Sequence, residues 1–198
     1  MGFTRTELLA FAGREIDDLL GPGCRLLFVG INPGLWTAAV GAHFARPGNR
    51  FYPALYRAGI TDHLIDASTG MSEADRRYLI DRGVGITNVV PRATATAAEL
   101  SDDEVRAGGR ALLDRVSAIG PEVVAVAGIT AYRTAFGERH AVVGPQERTW
   151  RSTRVWVVPN PSGLNAHETA DSLAAAYREA AEAAGITGLS GTTGRTRR

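Results

Sequence analysis

Four largely apolar runs of strand length, each ended or followed by a glycine or proline, constrain most strongly what this chain can fold into. They occupy residues 25–30, 85–90, 122–127 and 154–158. Consecutive rather than alternating apolar residues are typical of strands buried on both faces of a parallel sheet. Segments with helical signals separate the runs, and right-handed crossovers place such helices on both faces of the sheet. The sequence therefore predicts an α/β fold, a three-layer α/β/α sandwich with a central, mainly four-stranded parallel sheet.

Capping residues indicate where the helices begin. A capping box that starts at Ser101 predicts a helix running to about residue 119, and the same spacing from Thr4 predicts a first helix that ends only at residues 21–22. Further helices are predicted within residues 49–59, 72–83, 130–136 and 169–184. Residues 35–48 are predicted to form a long loop, and residues around 149–151 a short antiparallel strand.

Length and composition limit the remaining possibilities. The 198 residues suffice for one domain, which we assign to residues 1–186, and the tail at 187–198, rich in Gly, Thr and Arg, is expected to be disordered. A formal net charge of +1 excludes a chain that is basic throughout, so any nucleic-acid contact requires a local patch. No apolar run reaches the length of a membrane span and no signal peptide is recognisable, so we expect a cytoplasmic protein without a membrane partner. We also expect a monomer.

The chain contains few residues of the types that commonly bind metals, and no motif typical of nucleotide cofactors. Cys24 is the only cysteine, which excludes an internal disulfide, a cysteine-based zinc site and a cysteine-ligated iron–sulfur cluster. The four histidines are scattered, and neither a Gly-x-Gly-x-x-Gly motif nor a Walker loop is present. We therefore expect neither a metal nor a cofactor.

Two Asn-Pro turns stand out because they follow the first and the last predicted strand. Asn32 lies in the first turn and Asn160 in the second. A lone Asn-Pro is most often only a turn. However, the carboxyl ends of parallel strands share one edge of a sheet, where ligands bind, so these two side chains are predicted to converge on one cleft.

Three ordered motifs resemble those of the mismatch-specific uracil-DNA and thymine-DNA glycosylases. They are Gly30-Ile31-Asn32-Pro33-Gly34, Pro47-Gly48-Asn49-Arg50-Phe51 and Asn160-Pro161-Ser162-Gly163-Leu164. The resemblance extends from about Leu26 to Ala184. It implies hydrolysis of the N-glycosidic bond of uracil, or of a related base, in DNA that contains uracil or a mismatch. Such enzymes flip the target nucleotide out of the duplex and leave an abasic site.

The resemblance gives Asn32 and Asn160 the catalytic positions. Asn32 matches the residue that positions the attacking water, and a neutral amide can only orient water because it cannot take a proton. We therefore expect largely dissociative departure of the base and a slow enzyme. No motif places a lysine where it could form a Schiff base, and arginine dominates the basic residues, so the reaction is expected to be monofunctional.

The base pocket implied by the resemblance draws on the loop after the first strand. Backbone N–H groups of Ile31 and Gly34 correspond to those that contact the flipped base. Phe44 corresponds to the aromatic residue that stacks on it, the alternative being a plain core phenylalanine. Thr37 corresponds to the residue that faces C5 of the pyrimidine, where it would crowd the methyl group of thymine.

Asn88 and His43 each have a functional and a structural interpretation. An amide at position 88 could offer an acceptor and a donor to the N3–H/O4 edge of uracil, which favours broad uracil activity; the alternative is a strand-end Asn in a turn. His43 matches a histidine of the thymine-specific branch, where it would position water or phosphate; the alternative is an exposed loop histidine.

The second Asn-Pro loop matches the segment that enters the DNA minor groove. Leu164 would be the apolar plug that fills the gap left by the flipped base, with Ser162 and Gly163 approaching the opposite strand and a phosphate. The family often has Arg two residues beyond the Leu, whereas this chain continues with Asn165-Ala166-His167, which weakens the case for recognition of an opposite guanine. Candidate phosphate contacts are Arg46, Arg50, Arg92, Arg110 and Arg151.

Two other classes of function remain open. One is a catalytically weak protein that binds mismatches or lesions on the same scaffold. The other is a small-molecule α/β enzyme with a similar sheet. Formation of abasic sites separates the glycosylase from the first, and binding to free nucleotides but not to DNA would favour the second.

Overall fold

A five-stranded sheet forms the centre of the protein. The computed structural model describes residues 2–165 and 168–186; the tail predicted to be disordered lies outside them. The strands are β1 Leu26–Gly30, β2 Val84–Asn88, β3 Val123–Ala127, β4 Gly144–Pro145 and β5 Arg154–Val158. Their order is β2-β1-β3-β5-β4, and all pairings are parallel except that of β4 with β5. The α/β fold with a mainly four-stranded parallel sheet is therefore confirmed.

The prediction of a short antiparallel strand is right, but its predicted position around residues 149–151 is wrong. β4 occupies that role, whereas Trp150 and Thr153 pair only with each other. Arg151 between them has a φ of 57°, so the chain turns back on itself there and cannot extend along β5.

Helices cover both faces of the sheet. They are α1 Arg5–Leu9, α2 Leu35–Val40, α3 Phe51–Arg57, α4 Glu73–Asp81, α5 Asp102–Ile119, α6 Ile129–Phe136 and α7 Ala170–Ala183. One apolar cluster lies under α3 and α7, and a second lies under α5 and α6. No helix within the described residues combines the length and the apolar character needed to cross a membrane.

The longest predicted helix is confirmed, with a modified cap. Ser101 Oγ accepts a hydrogen bond from Glu104 N at 3.2 Å, and Gly120 ends the helix in the left-handed conformation. The reciprocal half of the capping box is absent because the Glu104 carboxylate pairs with the Arg92 guanidinium.

Two predictions near the N-terminus are wrong. The first helix ends at Leu9, and residues 14–20 run beside β2, where Leu19 bridges Ile86 and is 1% exposed. Burial of Leu19 against the sheet therefore overrides the local helical pattern. Residues 35–40, predicted as loop, form α2, which Gly41 closes in the left-handed conformation with its N–H on Thr37 O.

The strand register brings the predicted site residues to one edge. Gly30 at the end of β1 lies beside Asn88 at the end of β2, and Ala127 at the end of β3 lies beside Val158 of β5. The turns that contain Asn32 and Asn160 follow immediately, as expected for the carboxyl edge of a parallel sheet.

Candidate active site

A cavity of about 280 Å³ opens at the carboxyl edge of the sheet. The residues that line it are Gly30, Ile31, Asn32, Pro33, Gly34, Thr37, His43, Phe44, Arg46, Asn49, Asn88, Thr94, Ala95, Thr96, Ala97, Ala127, Asn160, Ser162 and Leu164. All the predicted site residues line it except Gly163 and Asn165. The walls therefore combine several side-chain amides with one aromatic ring.

Asn32 is held with its amide nitrogen facing the protein. Nδ2 donates to Thr94 Oγ1 at 2.7 Å, Arg92 O at 3.1 Å and Pro33 O at 3.2 Å. The Thr94 hydroxyl gives its only proton to Thr96 O at 2.8 Å, so it can only accept from Asn32. The amide orientation is thereby fixed, and Oδ1 is the acceptor that Asn32 offers at the cavity.

Asn88 and His43 form a buried pair in the wall of the cavity, 5% and 4% exposed. Asn88 Nδ2 donates to His43 Nδ1 at 3.2 Å, and His43 Nε2 donates to Asp17 O at 3.1 Å. Burial lowers the pKa of His43 to about 4, so the ring is neutral near pH 7. The interpretation of His43 as an exposed loop residue is therefore wrong, because the turn at Gly41 carries residue 43 back under the sheet edge.

A guanidinium from α5 supports the main chain of the same strand end. Arg115 Nη2 donates to Asn88 O at 2.7 Å, and its Nη1 donates to Thr87 Oγ1 at 3.0 Å and to Asp18 Oδ2 at 3.4 Å. Sequence analysis missed Arg115 because its partners lie far away in the chain. Asn88 is thus fixed through both its side chain and its backbone.

Phe44 forms the aromatic wall of the cavity in a strained conformation. Its φ is 54°, which is rare for a bulky side chain and is typical of functional sites. One ring face stacks on Phe51, with centroids 4.1 Å apart and planes at 21°. A Cβ added at Gly30 would lie 3.2 Å from Phe44 Cζ and 2.5 Å from Asn88 Oδ1. Glycine at position 30 therefore leaves the space in which these two side chains meet.

The remaining predicted pocket residues lie along the loop and helix that follow β1. Thr37, on α2, is buried and lines the cavity. Within residues 2–165 and 168–186, the backbone N–H groups of Ile31 and Gly34 donate to no main-chain carbonyl outside the regular helices and strands. Two backbone donors are thus available where the loop borders the cavity.

The loop that begins at Asn160 is tied to the start of α3. Asn160 Oδ1 accepts from Ser162 N at 3.0 Å, while Arg50 Nη1 donates to Ser162 O at 3.2 Å and to Asn165 O at 3.0 Å. A Cβ at Gly163 would lie 2.6 Å from Gly48 O, so this glycine allows close contact between the two loops.

The exposed residues that line the cavity are Gly34, Arg46, Ala95, Thr96, Ala97 and Leu164. Leu164 is 78% exposed, and Arg46 is the one charged residue among those that line the cavity within the described part of the chain. Among the other arginines considered for phosphate contact, Arg50 holds the Asn160 loop and Arg92 pairs with Glu104. Asn165 lines a second cavity on the side of Gly128.

Sequence analysis also missed the segment that follows β2. Residues 94–97 line the cavity, and Thr94 N donates to Pro33 O at 3.1 Å. Their position after a parallel strand, at the edge where Asn32 lies, was the signal that could have found them. Among the described residues, no group of three His, Cys, Asp or Glu side chains is arranged to hold a metal ion.

Fold and site define an α/β protein with an amide-rich cavity, walled by an aromatic ring, at the carboxyl edge of its sheet. The family model of the uracil DNA glycosylase superfamily matches residues 18–183, and the chain belongs to that superfamily. It is accordingly a DNA glycosylase by family, a hydrolase whose partner is DNA.

A solved structure shares this fold. It is the solution NMR structure of a candidate uracil DNA glycosylase from Methanosarcina acetivorans, with a TM-score of 0.55 and 15% sequence identity. The similarity covers 84% of this chain and 96% of that one. At this identity the comparison concerns the fold.

Proposed function

We propose that this protein is a monofunctional uracil-DNA glycosylase of the mismatch-specific and thymine-DNA glycosylase branch. It would flip uracil from DNA into the cavity, hydrolyse the N-glycosidic bond and leave an abasic site for base-excision repair. The observation that carries the proposal is the Asn32 amide, whose nitrogen is held by Thr94 and Arg92 so that its oxygen presents a fixed acceptor to water.

The chemistry follows from what an amide can do. Asn32 Oδ1 accepts a hydrogen bond from water and directs the lone pair of that water toward C1′ of the sugar. The C1′–N1 bond breaks largely before the water oxygen bonds to C1′, the electron pair leaves with uracil, and the proton of the water passes to solvent or to the departing base. Backbone N–H groups of Ile31 and Gly34 would stabilise the anion that develops on uracil.

The geometry favours uracil among the bases. The ring face of Phe44 that does not stack on Phe51 would receive the base, while Thr37 would crowd a methyl group at C5. Asn88 would read the N3–H/O4 edge. Cytosine lacks the N3–H, which would leave a buried acceptor unpaired.

We expect no lysine-based lyase step. The sequence contains 22 arginines and no lysine, so no lysine amine can form a Schiff base with the sugar. The expected product is therefore an intact abasic site, with strand cleavage only after treatment with alkali.

Leu164 would act on DNA as a wedge. Leu164 is the most exposed of the large apolar side chains in the described residues, at 78%, it lines the cavity, and Arg50 donates two hydrogen bonds to main-chain carbonyls of its loop. Inserted through the minor groove, it would occupy the gap left by the flipped base.

The experiment is a base-release assay on labelled DNA. Duplexes with U·G, U·A, T·G, hypoxanthine or ethenocytosine, and single strands with uracil, are incubated with excess enzyme and cleaved with alkali. We expect cleavage at uracil in all contexts, little at thymine, and loss of about 100-fold or more in Asn32→Ala. Absence of cleavage on every substrate would refute the proposal.

A second candidate function rests on one observation. No aspartate or glutamate lines the cavity within the described residues, so no carboxylate there can activate water. This favours, as the alternative, a lesion-binding protein with weak catalysis. It would retain uracil-containing DNA in a gel-shift assay without producing alkali-sensitive sites.

A further inference from the structure

We propose that His43 is a specificity-determining residue that acts through Asn88. By holding the Asn88 amide in one orientation, it selects bases that carry a hydrogen on N3 over bases with a bare N3. The inference rests on the proposed function, since it concerns how that same cavity recognises the flipped base.

The chain of hydrogen bonds begins at a group that can only accept. Asp17 O lies 3.1 Å from His43 Nε2, so that nitrogen must carry a proton. In a neutral ring the other nitrogen, Nδ1, is then an acceptor. Asn88 lies 3.2 Å from it, and only the Nδ2 end of the amide can donate there. The carbonyl oxygen Asp17 O thus determines which group donates and which accepts in both hydrogen bonds.

Burial keeps His43 in this neutral state. Its pKa is lowered to about 4, mainly by burial, with the charge of Arg76 acting in the same direction and Asp17 O and the Asp18 carboxylate opposing. Both ring nitrogens are engaged, by Asp17 and by Asn88, so His43 has no nitrogen left to bind a base or a water itself. It is a positioning residue.

The fixed amide presents its oxygen to the cavity. Asn88 Oδ1 lies next to Gly30, which lines the cavity together with Phe44. A base with N3–H donates to this oxygen, whereas a base with a bare N3 places two acceptors against each other. Rotation of the amide gives no relief, because it would bring Oδ1 against His43 Nδ1. One hydrogen bond corresponds to about ten-fold in affinity.

The test uses DNA that binds without being cleaved. Strands carry 2′-fluoro-2′-deoxyuridine or 2′-fluoro-2′-deoxycytidine, since fluorine at C2′ opposes the positive charge that develops on the sugar. Each is placed opposite a tetrahydrofuran abasic analogue, so that no base pair has to be broken when either base is flipped. The ratio of the two Kd values measures recognition at N3.

Two variants of His43 separate its nitrogens. His43→Asn keeps an acceptor near the position of Nδ1, while His43→Gln keeps a donor near that of Nε2. We expect wild type and His43→Asn to favour uracil by about ten-fold and about five-fold, and His43→Gln by less than about two-fold. In an Asn88→Ala background, His43→Gln should leave the ratio unchanged. An equal effect of His43→Gln with and without Asn88 would overturn the proposal.

A measurement on the wild-type protein removes dependence on the folding of variants. Nitrogen NMR of the free protein should show His43 protonated on Nε2 only, with a scalar coupling between its Nδ1 and Asn88 Nδ2. Protonation on Nδ1 would overturn the inference. If wild type neither releases nor binds uracil, the proposed function fails; if it releases uracil but His43→Gln retains the preference, only this inference fails.

Discussion

Replacement of Thr94 by valine tests whether the orientation of Asn32 limits base release. Valine has nearly the shape of threonine but removes both the acceptor for Asn32 Nδ2 and the donor to Thr96 O. The amide would keep Arg92 O and Pro33 O as partners at 3.1 and 3.2 Å, yet would lose its shortest hydrogen bond. We therefore expect Asn32 to stay in the cavity with a less well-defined direction.

The magnitude follows from the bonds lost. Thr94 is 2% exposed. Two hydrogen bonds are lost, one from Asn32 Nδ2 and one to Thr96 O, each worth about 1 kcal/mol, so the free energy of unfolding falls by about 2 kcal/mol. For a chain of this length, that lowers the melting temperature by roughly 4–8 °C. Loss of one orienting hydrogen bond, about 1.4 kcal/mol in the transition state, slows base release about ten-fold.

The assay is single-turnover release of uracil from a U·G duplex, read beside thermal unfolding. Thr153→Val is the matched control, because Thr153 is also 2% exposed and donates to Pro121 O at 2.8 Å outside the cavity. It should lose similar stability at an unchanged rate. Thr94→Ser, which keeps the hydroxyl, should stay within about three-fold of wild type. Equal rates for Thr94→Val and Thr153→Val would refute the reasoning.

Three further perturbations follow from the site. Leu164→Ala should slow base release from duplex DNA about ten-fold and leave single strands and the melting temperature little changed, since this leucine is 78% exposed; equal loss on both substrates would contradict a wedge. Gly30→Ala places a methyl group 2.5 Å from Asn88 Oδ1 and should reduce uracil release at least ten-fold, measured at a temperature at which circular dichroism shows the variant to be folded. Because the pKa of His43 falls from 6.5 to about 4 on folding, the unfolded chain binds more protons, so stability should drop as the pH falls from 6.5 to 4, by about 3 kcal/mol. Urea unfolding of wild type and His43→Asn at pH 7 and pH 4.5 checks this, the variant showing the smaller drop.

The sheet and the long helices could be predicted because their signals are local. Consecutive apolar residues mark β1, β3 and β5, and Ser101 and Gly120 mark the two ends of α5. The first helix could not be predicted correctly, because Leu19 leaves the helical pattern only when Ile86 of a distant strand is present to pair with it. Tertiary packing decides such a segment, and a single sequence carries no record of it.

In the candidate site, too, residues with local sequence signals could be predicted and residues that act through long-range contacts could not. The Asn-Pro turns and the parallel strand order sufficed to place Asn32 and Asn160 at one cavity, whereas Asn88 was placed there through the family resemblance. The groups that orient them could not be found in this way. Thr94 and Arg115 act through hydrogen bonds to residues 27 to 97 positions away, and no periodicity or motif encodes such a pairing.

The segment at residues 14–20 has a consequence for how this protein meets other chains. β2 is the last strand in the sheet order, and an uncovered last strand is a template onto which another polypeptide can add. Here the bridges Leu19–Ile86 and Glu15–Arg92 lie along that strand and its continuation, while the short β4 lies at the opposite side. Growth of the sheet by strand addition is thereby hindered at the β2 side, and the other edge of the sheet is β4, which is only two residues long and contains Pro145.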